Sequence, residues 1–95
     1  MMFRQKLTPW QALQKAKHFC AYRERCHIEV KEKLYLFGLH KNEAEQVLAQ
    51  LIEENYLNEE RFAGEFARGK FRNNQWGKTK IEFALKQKKI SSYNN

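Results

Sequence analysis

Apolar residues recur at helical spacing along nearly the whole of this chain, and no run alternates apolar with polar positions as a half-buried strand would. The first stripe is Leu13, Ala16, Phe19 and Cys20, with Ala12 alongside. It predicts a helix from Pro9 to about Tyr22. Thr8 is a good N-cap, Pro9 suits the first helical position, Gln11 can complete a capping box, and Leu7 can staple against Ala12. A second stripe, Val30, Leu34 and Phe37 flanked by Ile28 and Tyr35, predicts a helix from Cys26 to Phe37. Gly38 is placed to end it in a left-handed cap with Leu39 folded back. Ala44, Val47, Leu48, Leu51 and Ile52 predict a third helix, capped by Asn42 with Glu45 three residues on, and ending near Asn55.

Asn58 opens a fourth helix. Glu59 and Glu60 lie in its first turn, where the helix dipole favours negative charge, and Leu57 and Phe62 take the two staple positions. Phe62, Ala63, Phe66, Ala67 and Phe71 are expected to face inward. Gly64 and Gly69 each weaken this helix by up to about 1 kcal/mol relative to alanine, which points to close approach of another helix or to simple tolerance. After the loop containing Trp76, Ile81, Ala84 and Leu85 mark a fifth helix from about Gly77 to Lys88.

Displacing the sequence by 51 positions lays Cys26 on Gly77, Val30 on Ile81, Leu34 on Leu85 and Leu39 on Ile90, and lays Ala12 and Ala16 on Ala63 and Ala67. The pattern predicts an all-α fold of tandem three-helix repeats, one complete and a second incomplete, with five main helices. Residues 1–7 are read as an N-terminal arm, 8–55 as the first repeat, 56–90 as the first two helices of the second, and 91–95 as a frayed tail. A further helix would start near Ser91 or Ser92. The chain is therefore expected to be a fragment of a longer helical array, with an apolar patch on its last two helices that favours self-association.

The 95 residues suffice for one small domain whose core is thin, since a chain of this size buries only about 60% of its unfolded surface. Net charge is +7 and lies at one end. Residues 1–60 carry nine Lys and Arg against nine Asp and Glu, a sum of zero; residues 61–95 carry nine against Glu65 and Glu82, hence +7. Such asymmetry suggests an acidic partner, either nucleic acid or an acidic protein surface.

Arg61, Glu65, Arg68 and Arg72 share one predicted helix face, opposite Phe62 and Phe66, with Arg61 expected to pair with Glu65. Lys78, Lys80, Lys86 and Lys89 add charge on the fifth helix and its approach. Arg61, Arg68, Arg72, Lys78, Lys80, Lys86 and Lys89 are thus the candidate partner-binding or nucleic-acid-binding residues. Taken singly, each is as well explained by a solvated surface; taken together, they hold the whole charge excess. Trp76, beside Lys78, can stack on a base or pack the edge of a small core, the commoner role; Trp10 has the same ambiguity. Tyr56 and Phe62 are assigned to packing that holds the two repeats together.

No catalytic constellation is evident. His18, His27 and His40 are scattered, no serine or cysteine has a base partner, and there is no Gly-rich phosphate loop. No enzyme activity, cofactor or small-molecule substrate is expected. His18, Cys20, Cys26 and His27 lie close together, but their spacing fits no standard zinc pattern and Cys20 belongs to an apolar stripe, so no metal is expected and both cysteines are read as reduced thiols. No stretch is long and apolar enough to span a membrane, and the N-terminus lacks a signal-peptide core, so a cytoplasmic location is expected.

Three signatures, in order and properly separated, resemble those of the RecX regulatory proteins of bacteria. Tyr56-Leu57-Asn58-Glu59-Glu60-Arg61-Phe62-Ala63 is similar to that family's hallmark. Arg25, Glu29, Val30, Lys33 and Leu34 resemble a second signature, and Gly77, Ile81, Leu85, Lys88 and Ile90 a third. Three positions depart: Cys26 stands where the family usually has a capping serine, Ala84 where a glutamate is common, and Lys89 where a glycine is usual. The resemblance covers about Thr8 to Ile90 and implies a curved array of three-helix repeats. It further implies a non-enzymatic regulator that binds in the groove of the RecA–DNA filament and restrains strand exchange, ATP hydrolysis and coprotease activity. A helical module that binds DNA directly through the basic last third, without RecA, is the alternative, and an adaptor for an acidic protein a third.

Overall fold

The computed structural model describes residues 6–90. Five helices follow in order: α1 (Pro9–Tyr22), α2 (His27–Leu36), α3 (Lys41–Glu53), α4 (Glu59–Asn74) and α5 (Lys78–Gln87), with no strand among the described residues. The tail expected over 91–95, and a helix start at Ser91 or Ser92, lie outside the described residues.

Local chemistry sets the helix ends. Thr8 Oγ1 accepts the Gln11 N–H at 3.1 Å while the Gln11 side chain accepts the Thr8 N–H at 3.0 Å, closing the capping box of α1. Asn58 Oδ1 accepts the Arg61 N–H at 2.9 Å at the start of α4. The cap of α3 differs from expectation: it is His40, whose N–H donates to Glu43 Oε1 at 2.9 Å, and Asn42 lies inside the helix, exposed. Leu39 is held back on α2, so His40 is the first residue free to adopt the extended backbone a cap requires.

The repeat reappears in the helix ends. At α2, the Leu39 N–H donates to Leu34 O at 3.2 Å and the Gly38 N–H to Tyr35 O at 2.9 Å, a Schellman motif turning on Gly38 at φ 94°. At α5, the Ile90 N–H donates to Leu85 O at 3.1 Å and the Lys89 N–H to Lys86 O at 2.9 Å, the same motif 51 positions on, with Lys89 forced to φ 63°. Cys26 and Gly77 likewise hold matching N-cap positions of α2 and α5.

Packing divides the apolar residues into two cores. The first joins α1, α2 and α3 through Ala12, Leu13, Ala16, Cys20, Val30, Leu34, Leu39, Ala44, Val47 and Leu51. The second joins α4 and α5 through Phe62, Ala63, Ile81, Leu85 and Ile90. Each borrows a residue from across the seam: Leu57, just before α4, is buried in the first core, and Cys26, at the start of α2, is buried in the second. The Leu57–Phe62 staple expected for α4 is therefore replaced by a straddle, one residue to each core. Two stacked units make the chain less compact than a single ball: its radius of gyration is 14.8 Å, against about 12 Å for a compact domain of this length.

Two expected inward positions face solvent: Ile52 is exposed, and Phe71 is 68% exposed. Phe71 is the repeat counterpart of Cys20, which is 7% exposed because α3 closes over it. No described residue takes the corresponding place over α4 and α5. Nor do the glycines of α4 mark a close helix approach. A Cβ at Gly69 would meet nothing within 4 Å, and one at Gly64 only the Arg68 side chain at 3.4 Å.

Candidate functional site

The segment Tyr56–Ala63 is built as a joint. The Tyr56 N–H closes the end of α3 on Leu51 O at 2.9 Å, and its ring, partly exposed, lies under Lys17 Nζ at 5.2 Å. Leu57 plugs the first core and Asn58 caps α4. Glu59 Oε2 accepts the His27 N–H at 3.1 Å, placing a second carboxylate, beside that of Glu29, at the start of α2. Phe62 and Ala63 open the second core beside Cys26.

Arg61 completes the joint. Its Nε donates to Glu24 Oε2 at 2.9 Å, Nη1 to Asn55 Oδ1 at 3.3 Å and Nη2 to Asn55 O at 3.1 Å. The expected pair with Glu65 is not formed, because the loops before α2 and before α4 bring three better-placed acceptors around the guanidinium. A residue read from its helix face as a candidate for partner binding thus ties the two repeats together.

Arg25, buried at the same seam, donates from Nε to Phe19 O at 2.8 Å and lays its guanidinium 3.6 Å from the Phe19 ring centroid. Burial holds its pKa below the ordinary arginine value, with Arg23 nearby adding to the effect. Cys20 and Cys26 lie in separate cores, and burial pushes both thiols above their usual pKa. Among the described residues, no group of three or more His, Cys, Asp or Glu is arranged to hold a metal ion.

The remaining candidate cations, Arg68, Arg72, Lys78, Lys80, Lys86 and Lys89, are exposed, and no carboxylate of the described residues lies within 4.0 Å of them. Arg68 and Lys78 flank a groove floored by Ala67, Phe71 and Ile81. Lys80 belongs to a separate groove lined by Phe66, Lys70, Trp76, Phe83, Ala84, Gln87 and Lys88. Trp76 packs against the second core, edge-on to Phe66 with ring centroids 6.4 Å apart, as expected for a core-edge tryptophan. Its ring nevertheless faces two ammonium groups, Lys80 at 4.7 Å and Lys70 at 5.0 Å. Trp10 is exposed at the start of α1, beside Gln46 and Gln50 of α3.

Lys70 was not singled out by sequence and Lys88 only within a family signature, and each lies over the Phe66 ring, at 5.6 and 5.7 Å. A signal was there: Phe66 precedes Lys70, and Trp76 precedes Lys80, by four positions. In α4 that spacing sets ring and ammonium on one face, and Trp76 lies just ahead of α5.

The features described so far, α-helical repeats with a matching cap and core register, define a helical-repeat protein. Residues 58–94 match the family model of RecX, second three-helix domain. No curated protein and no solved structure gives a match. Among the described residues, no helix is long and apolar enough to cross a membrane.

Proposed function

We propose that this chain is a RecX-like regulator that binds the RecA–DNA filament and restrains its recombinase, ATPase and coprotease activities. The observation that carries this reading is the coincidence of two features: the segment matching the family carries nine Lys and Arg against four Glu, a net +5 of the chain's +7. A filament groove presents DNA phosphates and acidic side chains together. The guanidiniums of Arg68 and Arg72 suit both, and Lys78, Lys80, Lys86 and Lys89 add point charges. Arg61 contributes by fixing how the cationic repeat is presented rather than by meeting the partner.

The test is ATP hydrolysis and strand exchange by assembled RecA filaments, with and without this protein. Inhibition is expected, weakened by Arg68→Glu with Arg72→Glu at unchanged helicity, since both side chains are exposed. No effect of saturating protein on either activity removes the reading. Tight binding to naked DNA alongside that negative result favours direct action on DNA.

A further inference from the structure

The two repeats share a scaffold, so residues that only serve the scaffold recur in both copies. The groove around Trp76 fails that comparison. Displaced by 51 positions, Lys80 falls on Glu29 and Phe83 on Glu32. Glu29 has a structural task in the first repeat: its carboxylate accepts the Cys26 N–H at 3.0 Å and caps α2. The second repeat has given that cap up. Gly77 has no side-chain cap, and residue 80 is instead an ammonium held 4.7 Å from the Trp76 centroid. At the other position a carboxylate is exchanged for a phenylalanine left 64% exposed. Neither exchange helps the fold, since one loses a cap and the other puts an aromatic ring in water.

What the exchanges create is a groove of about 560 Å³ that combines Phe66, Trp76 and Phe83 with Lys70, Lys80 and Lys88 and has no carboxylate in its lining. Its charge calls for a polyanion. The cations here are lysines, point charges that serve for phosphate. Aromatic rings interleaved with ammonium groups suit a chain of phosphates whose bases can turn onto the rings. A duplex keeps its base faces stacked inside, so the fit is to a single strand. We infer that the Phe66–Trp76–Phe83 groove binds single-stranded nucleic acid, with Lys70, Lys80 and Lys88 on phosphates and a base against Phe83 at the groove's open side. This deepens the filament reading by adding a direct contact to the strand, and rests on it only for where that strand is met.

The experiment uses the whole chain with Trp10→Phe, so that Trp76 alone reports. It is titrated with single-stranded oligothymidylate, an abasic oligomer of equal length, a duplex, and polyglutamate. Quenching by oligothymidylate is expected to be saturable and stronger than by the duplex or the abasic strand, with a log–log salt slope of roughly −2 for three phosphates. Phe83→Glu and Lys80→Glu, which restore the residues of the first repeat, are expected to weaken binding about five- to a hundredfold with unchanged helicity. Equal binding of abasic strand and oligothymidylate, indifference to both substitutions, or a preference for polyglutamate overturns the inference. Filament inhibition that survives in the Phe83→Glu variant leaves the regulator reading standing while the groove is abandoned; loss of both ties them together.

Discussion

Arg61 on α4 reaches Glu24, ahead of α2, with Nε 2.9 Å from Oε2, and so spans 37 positions of sequence to close the seam between the repeats. The pair is only partly screened from water, so its Coulombic share is small. Its importance lies in the fork geometry, which also satisfies the backbone oxygen of Asn55. Arg61→Ala is expected to cost about 1–2 kcal/mol in urea unfolding, and Arg61→Lys to recover less than half, because an ammonium cannot reach the three acceptors together. A double-mutant cycle with Glu24→Gln should return a coupling of about 0.5 kcal/mol or more, and additive effects would show that the contact is incidental.

The paired C-caps of α2 and α5 respond in opposite senses to the same exchange. Lys89 holds a left-handed backbone that glycine takes freely, so Lys89→Gly should raise stability by up to about 1 kcal/mol. Gly38→Ala should lower it by more than about 1 kcal/mol, because φ is 94° there and the new Cβ would sit 2.9 Å from Lys6 Cα. Thermal or denaturant midpoints of the two variants give the signs directly.

Acid should loosen the first repeat. The His40 N–H, then the Lys6 ammonium, hold the Glu43 carboxyl below its ordinary pKa of 4.5. The Gln50 amide, then the Lys17 ammonium, do the same for Glu54. Since these groups are lowered in the folded state, the stability they contribute is present above the ordinary value and is lost as pH falls through the folded values. Urea midpoints should drop on going from pH 5 to pH 3 (roughly the carboxylate range), and Glu43→Gln with Glu54→Gln should flatten that drop. A midpoint independent of pH in the wild type contradicts the assignment.

The thiols offer a reading of each core separately. Cys20 reports the first and Cys26 the second, and burial keeps both protonated at neutral pH. Iodoacetamide should label the native protein far more slowly than a free cysteine peptide. Cys26 should label before Cys20, because the second core has only two helices around it among the described residues while the first has three. Peptide mass spectrometry over a time course separates the sites, and native labelling at the free rate would show that the cores are open.

Helix positions, most caps, the repeat register and the charge imbalance were legible in the amino-acid order because each depends on residues within a few positions of one another. Thr8 finds Gln11, Gly38 finds Tyr35, Leu39 finds Leu34, and the apolar stripes repeat at 3.6-residue spacing whatever they pack against. The misplaced α3 cap shows the limit of that logic: Asn42 was locally as good as His40, and the decision came from Leu39 being anchored on α2.

The seam belongs to tertiary structure alone. Helix periodicity says that Leu57, Cys26 and Arg61 have neighbours. It cannot say that Leu57 enters the first core, that Cys26 enters the second, or that Arg61 turns from Glu65 to Glu24. Those outcomes depend on how two helical units stack, and the acceptors around a guanidinium are set by loops distant in sequence. Packing of α4 with α5 likewise set Arg68 and Lys78 on one groove and placed Lys70, Lys80 and Lys88 around aromatic rings in another, because which side chains share a groove depends on how two helices meet.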